Sequence, residues 1–348
     1  MKVVQVTHRY PPQVGGVETH VEALATRLAS AGHDVTVVTA DGCGDRPATQ
    51  HTDGVEIIRH RGLAPGDAFH VAPGIARTVR RLDADVVHAH NYHALPLVVA
   101  AVASQAPLVA TPHYHATSAS RVRDALLTAY EPIGRWALQR ADRVLAVSAW
   151  ERDRLATDFG VDAQVVPNGV DRRAYNDVSP ASRARPYLLC VGRLAEYKGV
   201  QFAIRALPQL PEFDLVVAGT GPYRTSLEQV AQSVGVRDRV EFTGYVADAE
   251  LRRLFAGASV SLSLSTHEAF GLTVAEALAS GTPCVVRSAR ALAAWGTRPD
   301  CIAIDAVAAA PIASAVRAAE TRPAPAAPVP TWEATASQVR DVYSELLE

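Results

Sequence analysis

Apolar residues along the chain recur in two patterns. Short continuous or alternating apolar runs, bounded by Gly, Pro or polar clusters, predict strands at residues 2–7, 33–39, 54–60, 85–89, 107–111, 142–148 and 164–166. Between them lie helical patterns. Val17, Val21, Leu24, Ala25 and Leu28 share one face of a helix over 17–31, ended by Gly32. Further helices are predicted around 75–82, 93–104, 121–139 and 149–159, the last with Ser148 as N-cap. Residues 8–16 and 41–53, polar and rich in Gly or Pro, read as loops. The alternation then repeats, with strands at 187–191, 214–218, 240–243, 258–264, 283–286 and 301–305. Helices are predicted at 200–210, 223–234, 247–255, from near Gly271 to the stop at Gly281, at 306–320 and at 332–347. Strand–helix alternation throughout predicts an α/β protein of doubly wound parallel sheets.

A length of 348 residues is enough for two such domains, each able to bury its own core. The polar stretch 171–186, with Pro180 and Pro186, reads as the linker between them. Residues 321–330, holding four prolines, read as a rigid connector to the closing helix, which Trp332 and Glu333 would anchor. A hydrophobic content of 48% and a mean hydropathy of +0.04 fit a globular chain. The net charge of −2 argues against a nucleic-acid partner. The cysteines are Cys43, Cys190, Cys284 and Cys301, with no C-x-x-C pair to hold zinc, and Cys190 and Cys284 sit in apolar runs as buried thiols. The chain passes directly from Met1-Lys2 into a strand and holds no apolar run long enough to span a bilayer. A cytoplasmic location is the expectation, with contact at the inner face of a membrane left open.

Candidate chemistry concentrates at predicted strand ends. The stretch 265–281, S-T-H-E-A-F-G-L-T-V-A-E-A-L-A-S-G, reads as the loop and helix of a βαβ unit. Amides of Phe270, Gly271, Leu272 and Thr273 at a helix start favour an anion. Glu268 and Glu276 flank that start, which fits a ligand with phosphate in its middle and hydroxyls at both ends, such as a nucleotide sugar. Glu276 would accept from ribose and Glu268 from the sugar. In G-R-L-A-E-Y-K-G, residues 192–199, Arg193 and Lys198 are placed to clamp phosphate oxygens. Gly15-Gly16 lets a pyrophosphate or sugar approach the backbone after the first strand, or is an ordinary tight turn. No G-x-G-x-x-G follows that strand, against a dinucleotide cofactor. In T-P-H-Y-H, His113 and His115 could pair at a metal, but no third ligand of suitable spacing follows. His88, His90 and His93 line a cleft or are packed histidines. P-N-G-V-D, holding Asn168, is a turn.

These motifs resemble family 4 of the retaining glycosyltransferases, which have the GT-B fold. Glu268 and Glu276 with A-F-G-L-T-V-A between them are similar to its Glu-x7-Glu motif; G-R-x-x-x-x-K-G, G-x-G-P, P-P-x-x-G-G-V-E and T-P-H also match. The resemblance implies two Rossmann-like domains facing across a cleft, with the C-terminal helix crossing back to the first. Residues 1–170 with 331–348 would form the acceptor side and 171–330 the nucleotide-sugar domain. It implies catalytic roles for His113, rather than His115, and for Arg193, Lys198 and Glu268. The implied donor set is Gly15, Gly16, Asn168, Arg193, Lys198, Gly219, Gly221, Glu268, Ala269, Phe270, Gly271, Leu272, Thr273 and Glu276. The activity implied is metal-independent, cofactor-free transfer of a hexosyl group, with retention, from a UDP- or GDP-sugar to a hydroxyl of a saccharide, lipid-linked saccharide or small metabolite. A non-hydrolysing nucleotide-sugar epimerase and a non-catalytic glycan-binding protein are the competing readings. The chain departs from the family after Val286, where R-S-A-R-A-L-A-A-W replaces a G-G-x-x-E loop.

Overall fold

In the computed structural model, which describes residues 1–42, 47–63, 70–115, 121–322, 324–325 and 327–348, the chain divides into two units. Unit 1 comprises Met1–Asn168 and Trp332–Glu348; unit 2 comprises Gly169–Thr331. Cys43 and Pro323 lie outside the described residues.

Unit 1 runs β1 (Lys2–Thr7), α1 (Gly16–Ser30), β2 (Asp34–Thr39), β3 (Thr49–Thr52), β4 (Val55–Arg59), α2 (Gly74–Arg81) and β5 (Val86–His90). It continues with α3 (Pro96–Ala103), β6 (Leu108–Thr111), α4 (Arg121–Arg140), β7 (Arg143–Ala146), α5 (Ala149–Phe159) and β8 (Gln164–Val165). The sheet order is β3-β4-β2-β1-β5-β6-β7-β8, parallel except for β3 against β4. The strand β3 corrects the loop expected over 41–53. It is polar and wholly exposed, so it carries no apolar alternation. Asp53 and Gly54, at φ 52° and 77°, form the turn that folds it onto β4.

Unit 2 runs β9 (Tyr187–Val191), α6 (Val200–Ala206), β10 (Asp214–Ala218), α7 (Arg224–Ser233), β11 (Val240–Gly244) and α8 (Asp248–Gly257). Then come β12 (Val260–Ser263), α9 (Leu272–Ala279), β13 (Cys284–Arg287), α10 (Leu292–Trp295), β14 (Cys301–Ile304) and α11 (Ala309–Glu320). All described strand pairs are parallel, in the order β11-β10-β9-β12-β13-β14. The stretch read as a linker packs on this unit: the Ala181 amide donates to the Arg253 carbonyl at 2.9 Å, and Arg183 pairs with Glu241.

The closing helix α12 (Trp332–Leu347) belongs to unit 1. Its Val339, Val342 and Tyr343 join Val21, Leu24 and Leu28 of α1 in the core on one face of the sheet. Ile75, Leu97, Tyr130 and Leu155 fill the other face. Tyr343 is fully buried, its hydroxyl 2.7 Å from Nδ1 of His88. Each sheet reverses direction of winding once, between β1 and β5 and between β9 and β12. Loops leaving the carboxyl ends of those neighbouring strands diverge there, which is where such sheets bind ligands.

Candidate active site

In unit 2 the loops after β9 and β12 meet at the winding reversal. The Thr266 amide donates to the Tyr197 carbonyl at 2.9 Å, and Lys198 Nζ lies 2.6 Å from Glu268 Oε1. Both charged groups are half-buried, and Arg193, Gly192 and Thr273 line the same hollow. Burial works against the Lys198 ammonium, but Glu268 beside it prevails and holds its pKa above the ordinary lysine value. Arg193 is exposed. Its loop is fixed by the G-T-G-P turn: Gly192 donates to the Ala218 carbonyl at 2.9 Å and Leu194 to that of Thr220 at 2.8 Å. Gly219, at φ 139°, could not carry a side chain, because a Cβ would fall 1.9 Å from the Gly192 carbonyl oxygen. Gly219 and Gly221 therefore seat the Arg193 loop.

Helix α9 begins behind this pair. Gly271 is its N-cap, at φ 99°. The described intrahelical bonds start with Val274 and Ala275, both donating to the Gly271 carbonyl, so the amides of Leu272 and Thr273 come before the ladder. Glu276, half-buried one turn on, has its carboxyl pushed up to about 7 by burial and Asp248, with Arg252 pulling the other way. The two glutamates thus have different surroundings: Glu268 is paired with a cation, whereas Glu276 sits in a desolvated site.

The divergent stretch after Val286 folds into the short helix α10. Its Trp295 donates Nε1–H to the carbonyl of Phe270 at 2.7 Å and packs edge-on against that ring. It supports the loop leading to α9 from below.

In unit 1 the loops after β1, β5 and β6 carry the remaining candidates. The loop after β1 is pinned by Asp41, which accepts from the Tyr10 amide at 3.1 Å and from Arg59 at 2.8 and 2.9 Å. The Glu18 carboxylate folds over Gly15; a Cβ there would lie 2.3 Å from Oε2, so the carboxylate would have to shift. Glu18 is itself held by Arg9 at 2.9 Å. A carboxylate paired with Arg9 therefore stands beside the first of the two glycines.

His113 is buried and adopts φ 48°, a left-handed conformation that a residue with a side chain holds only when its surroundings enforce it. Pro112 and Tyr114 on either side are tethered. The Tyr92 amide donates to the Pro112 carbonyl at 2.7 Å, and the Tyr114 amide donates to Glu151 Oε1 at 2.5 Å. Glu151 Oε2 takes the Val147 amide at 2.7 Å. The Glu151 amide in turn donates to Ser148 Oγ at 3.1 Å, confirming the cap.

The ring of His113 packs against those of His20 and His90, with centroids 4.8 and 5.9 Å away. His115 stands apart, stacked on His93 at 4.0 Å. Burial lowers the pKa of His20 to about 4, and burial together with neighbouring rings holds His88, His90 and His113 well below the ordinary histidine value. All four are neutral at pH 7. Asn168 lies here too, its Oδ1 2.7 Å from His20 Nδ1, so that its carbonyl orients a ring of unit 1.

The comparisons with known proteins agree along the chain. Residues 14–174 match the family model described as Glycosyltransferase Family 4, and 171–293 that of Glycosyl transferases group 1. A glycogen synthase of Mycobacterium tuberculosis is 34% identical over 322 residues, spanning 82% of this chain and 77% of its own. The chain belongs to glycosyltransferase family 4. A GDP-mannose-dependent phosphatidylinositol monomannoside mannosyltransferase of Mycolicibacterium smegmatis is 30% identical, over 80% of this chain and 78% of its own. Among solved structures, a sucrose-phosphate synthase from Thermosynechococcus elongatus superposes with a TM-score of 0.86 at 21% identity, over 99% of this chain and 98% of its own. HepE of Anabaena, solved with UDP-glucose, gives 0.72 at 19% identity, over 100% and 96%. The fold is GT-B, two parallel α/β sheets with the closing helix returned to α1.

For this glycosyltransferase, the structure groups Arg193, Lys198, Glu268, Thr273 and Glu276 in unit 2 and Gly15, Gly16, His113 and Asn168 in unit 1. Three residues escaped the sequence reading. Glu151 was visible as the fourth residue of an S-x-x-E capping pattern, and Trp295 stood in the divergent loop. His20, which lies one turn into α1, groups with His90 and His113, a set of three imidazoles that leaves out His115.

Proposed function

We propose that this enzyme moves a hexosyl group, with retention, from a UDP- or GDP-sugar to a hydroxyl acceptor without a metal ion. The observation that carries this reading is the Lys198–Glu268 pair at 2.6 Å beside Arg193 and the first-turn amides of α9. The departing diphosphate gains negative charge in the transition state. Arg193, Lys198 and the amides of Leu272 and Thr273 supply fixed positive charge for it, the role a divalent ion plays elsewhere. The incoming phosphate draws Lys198 from Glu268, and the released carboxylate accepts from sugar hydroxyls. Glu276 accepts from the ribose. His113, held neutral, contributes a ring nitrogen to the transferred sugar, and the leaving phosphate takes the acceptor proton. Relatives named for glycogen, phosphatidylinositol mannoside and diacylglycerol products support a saccharide or a lipid-linked acceptor.

The test is a thermal-shift panel of UDP- and GDP-sugars followed by a transfer assay with polysaccharide and glycolipid acceptors. Binding of one donor raises the melting temperature with occupancy, and product forms only when acceptor is present. Conversion of the donor alone would make the protein an epimerase, and glycan binding without turnover would make it an accessory protein.

A further inference from the structure

His20 on α1, His90 at the end of β5 and His113 after β6 each offer a ring nitrogen, and the three atoms lie within 4.8 Å of one another. All three side chains are buried. Nε2 of His20, Nε2 of His113 and both nitrogens of His90 have no hydrogen-bond partner among the described residues. Buried imidazole nitrogens are ordinarily satisfied, so a convergence of unsatisfied ones points to a ligand.

We infer that these three histidines bind a single zinc-class transition-metal ion, and that occupancy blocks sugar transfer rather than serving it. The tautomer of His20 suits this. Its Nδ1 faces the Asn168 amide oxygen at 2.7 Å, which only accepts, so Nδ1 carries the proton and Nε2 presents a lone pair to its neighbours. A ligating histidine whose other nitrogen donates to an oxygen is the usual outer support of a metal site. Imidazole donors without carboxylate select zinc, cobalt, nickel or copper over magnesium and calcium. Bonds of about 2.0–2.1 Å in a tetrahedral site bring the nitrogens to roughly 3.4 Å apart, so the rings close by about an ångström on the ion. Three protein ligands leave a fourth position for water. His88 stays outside the set, since Tyr343 and Thr111 engage its two nitrogens, each at 2.7 Å.

That occupancy blocks transfer rests on the role proposed for His113; that the ion binds does not. Binding is therefore read without nucleotide, using Co2+ as the probe on the whole chain. The expected result is the visible absorption of tetrahedral Co2+, saturating at one ion per chain and displaced by Zn2+. His90→Gln abolishes it. Asn168→Ala weakens it by about 10–100-fold, as loss of an outer-shell partner does. Thermal melting of both variants shows whether they are folded, and His20→Gln is the alternative should His90→Gln fail to fold. Absence of the bands, their persistence in folded His90→Gln or His20→Gln, or a sulfur-to-cobalt charge-transfer band marking cysteine ligation would overturn the site. With binding established, Zn2+ inhibition of transfer reversed by EDTA supports the blocking role; an enzyme fully active with the ion bound would overturn that part alone.

Discussion

Trp295 donates its indole N–H to the carbonyl of Phe270 at 2.7 Å, which ties α10 to the residue before Gly271. Substituting Trp295→Phe keeps an aromatic ring but leaves a buried carbonyl without its donor, a cost of about 1–3 kcal/mol. That cost falls on the loop carrying the α9 amides. The expected outcome is a donor KM raised about tenfold, equivalent to about 1.4 kcal/mol, with kcat reduced much less. Initial rates against donor concentration check it; an unchanged KM would remove Trp295 from donor organisation.

Arg193→Ala and Lys198→Ala should each lower kcat by about 10²–10³, as loss of a charge-stabilising donor does. Arg193 is exposed, so its variant should melt with the wild type. Lys198→Ala strands Glu268 and should melt slightly lower. EDTA should leave the rate intact. Near-normal turnover in both variants, or loss of activity in EDTA restored by a divalent ion, would break the account of the leaving group.

With the proposed ribose contact, the Glu276 carboxyl, raised to about 7, should set the pH dependence of donor binding. Ribose hydroxyls would donate to the ionised form, so binding would favour proton release. A sugar diphosphate carries no group titrating nearby. Donor affinity should be flat above about pH 7 and fall toward a limit of tenfold per pH unit below it. Glu276→Gln should bind more weakly and lose this slope. Titration calorimetry over pH 5.5–8.5, about the range spanning that pKa, decides it.

Glu151 holds two amides around the strained His113 segment. A glutamine in its place accepts from one and turns an NH2 toward the other. Glu151→Gln should lower stability by about 1–3 kcal/mol and reduce kcat by releasing Tyr114. Burial raises the folded pKa of Glu151 to about 8. Its contribution to stability is therefore complete below the ordinary carboxylate pKa and is lost as pH rises through about 8. The variant should lack that component in denaturant titrations across pH.

The order of strands and helices was legible because parallel strands buried on both faces read as apolar runs, as in Tyr187–Val191 and Asp214–Ala218. Where burial is absent the signal vanishes: T-Q-H-T of β3 is held to β4 by its backbone ladder, the turn and the approach of His51 to Glu56. Spacing puts Glu268 in the loop and Glu276 in the helix and offers them different hydroxyls, but says nothing of the charge beside each. Their difference depends on β9 lying next to β12, which brings Lys198 to one of them and not the other. His20, His90 and His113 are scattered in sequence and meet because β1, β5 and β6 are neighbours in the sheet. A regular fold is written in local periodicity; a site assembled from three strand ends is written in topology.

Tyr343 and His88 share a hydrogen bond across 255 positions of sequence, with the whole of unit 2 made between them. During synthesis the N-terminal Rossmann layer must therefore wait, one flank of its sheet uncovered, until α12 has been translated. A ribosome stalled anywhere in the second unit would hold an incomplete first unit, its core on that face still lacking Val339, Val342 and Tyr343 and open to chaperones or to aggregation.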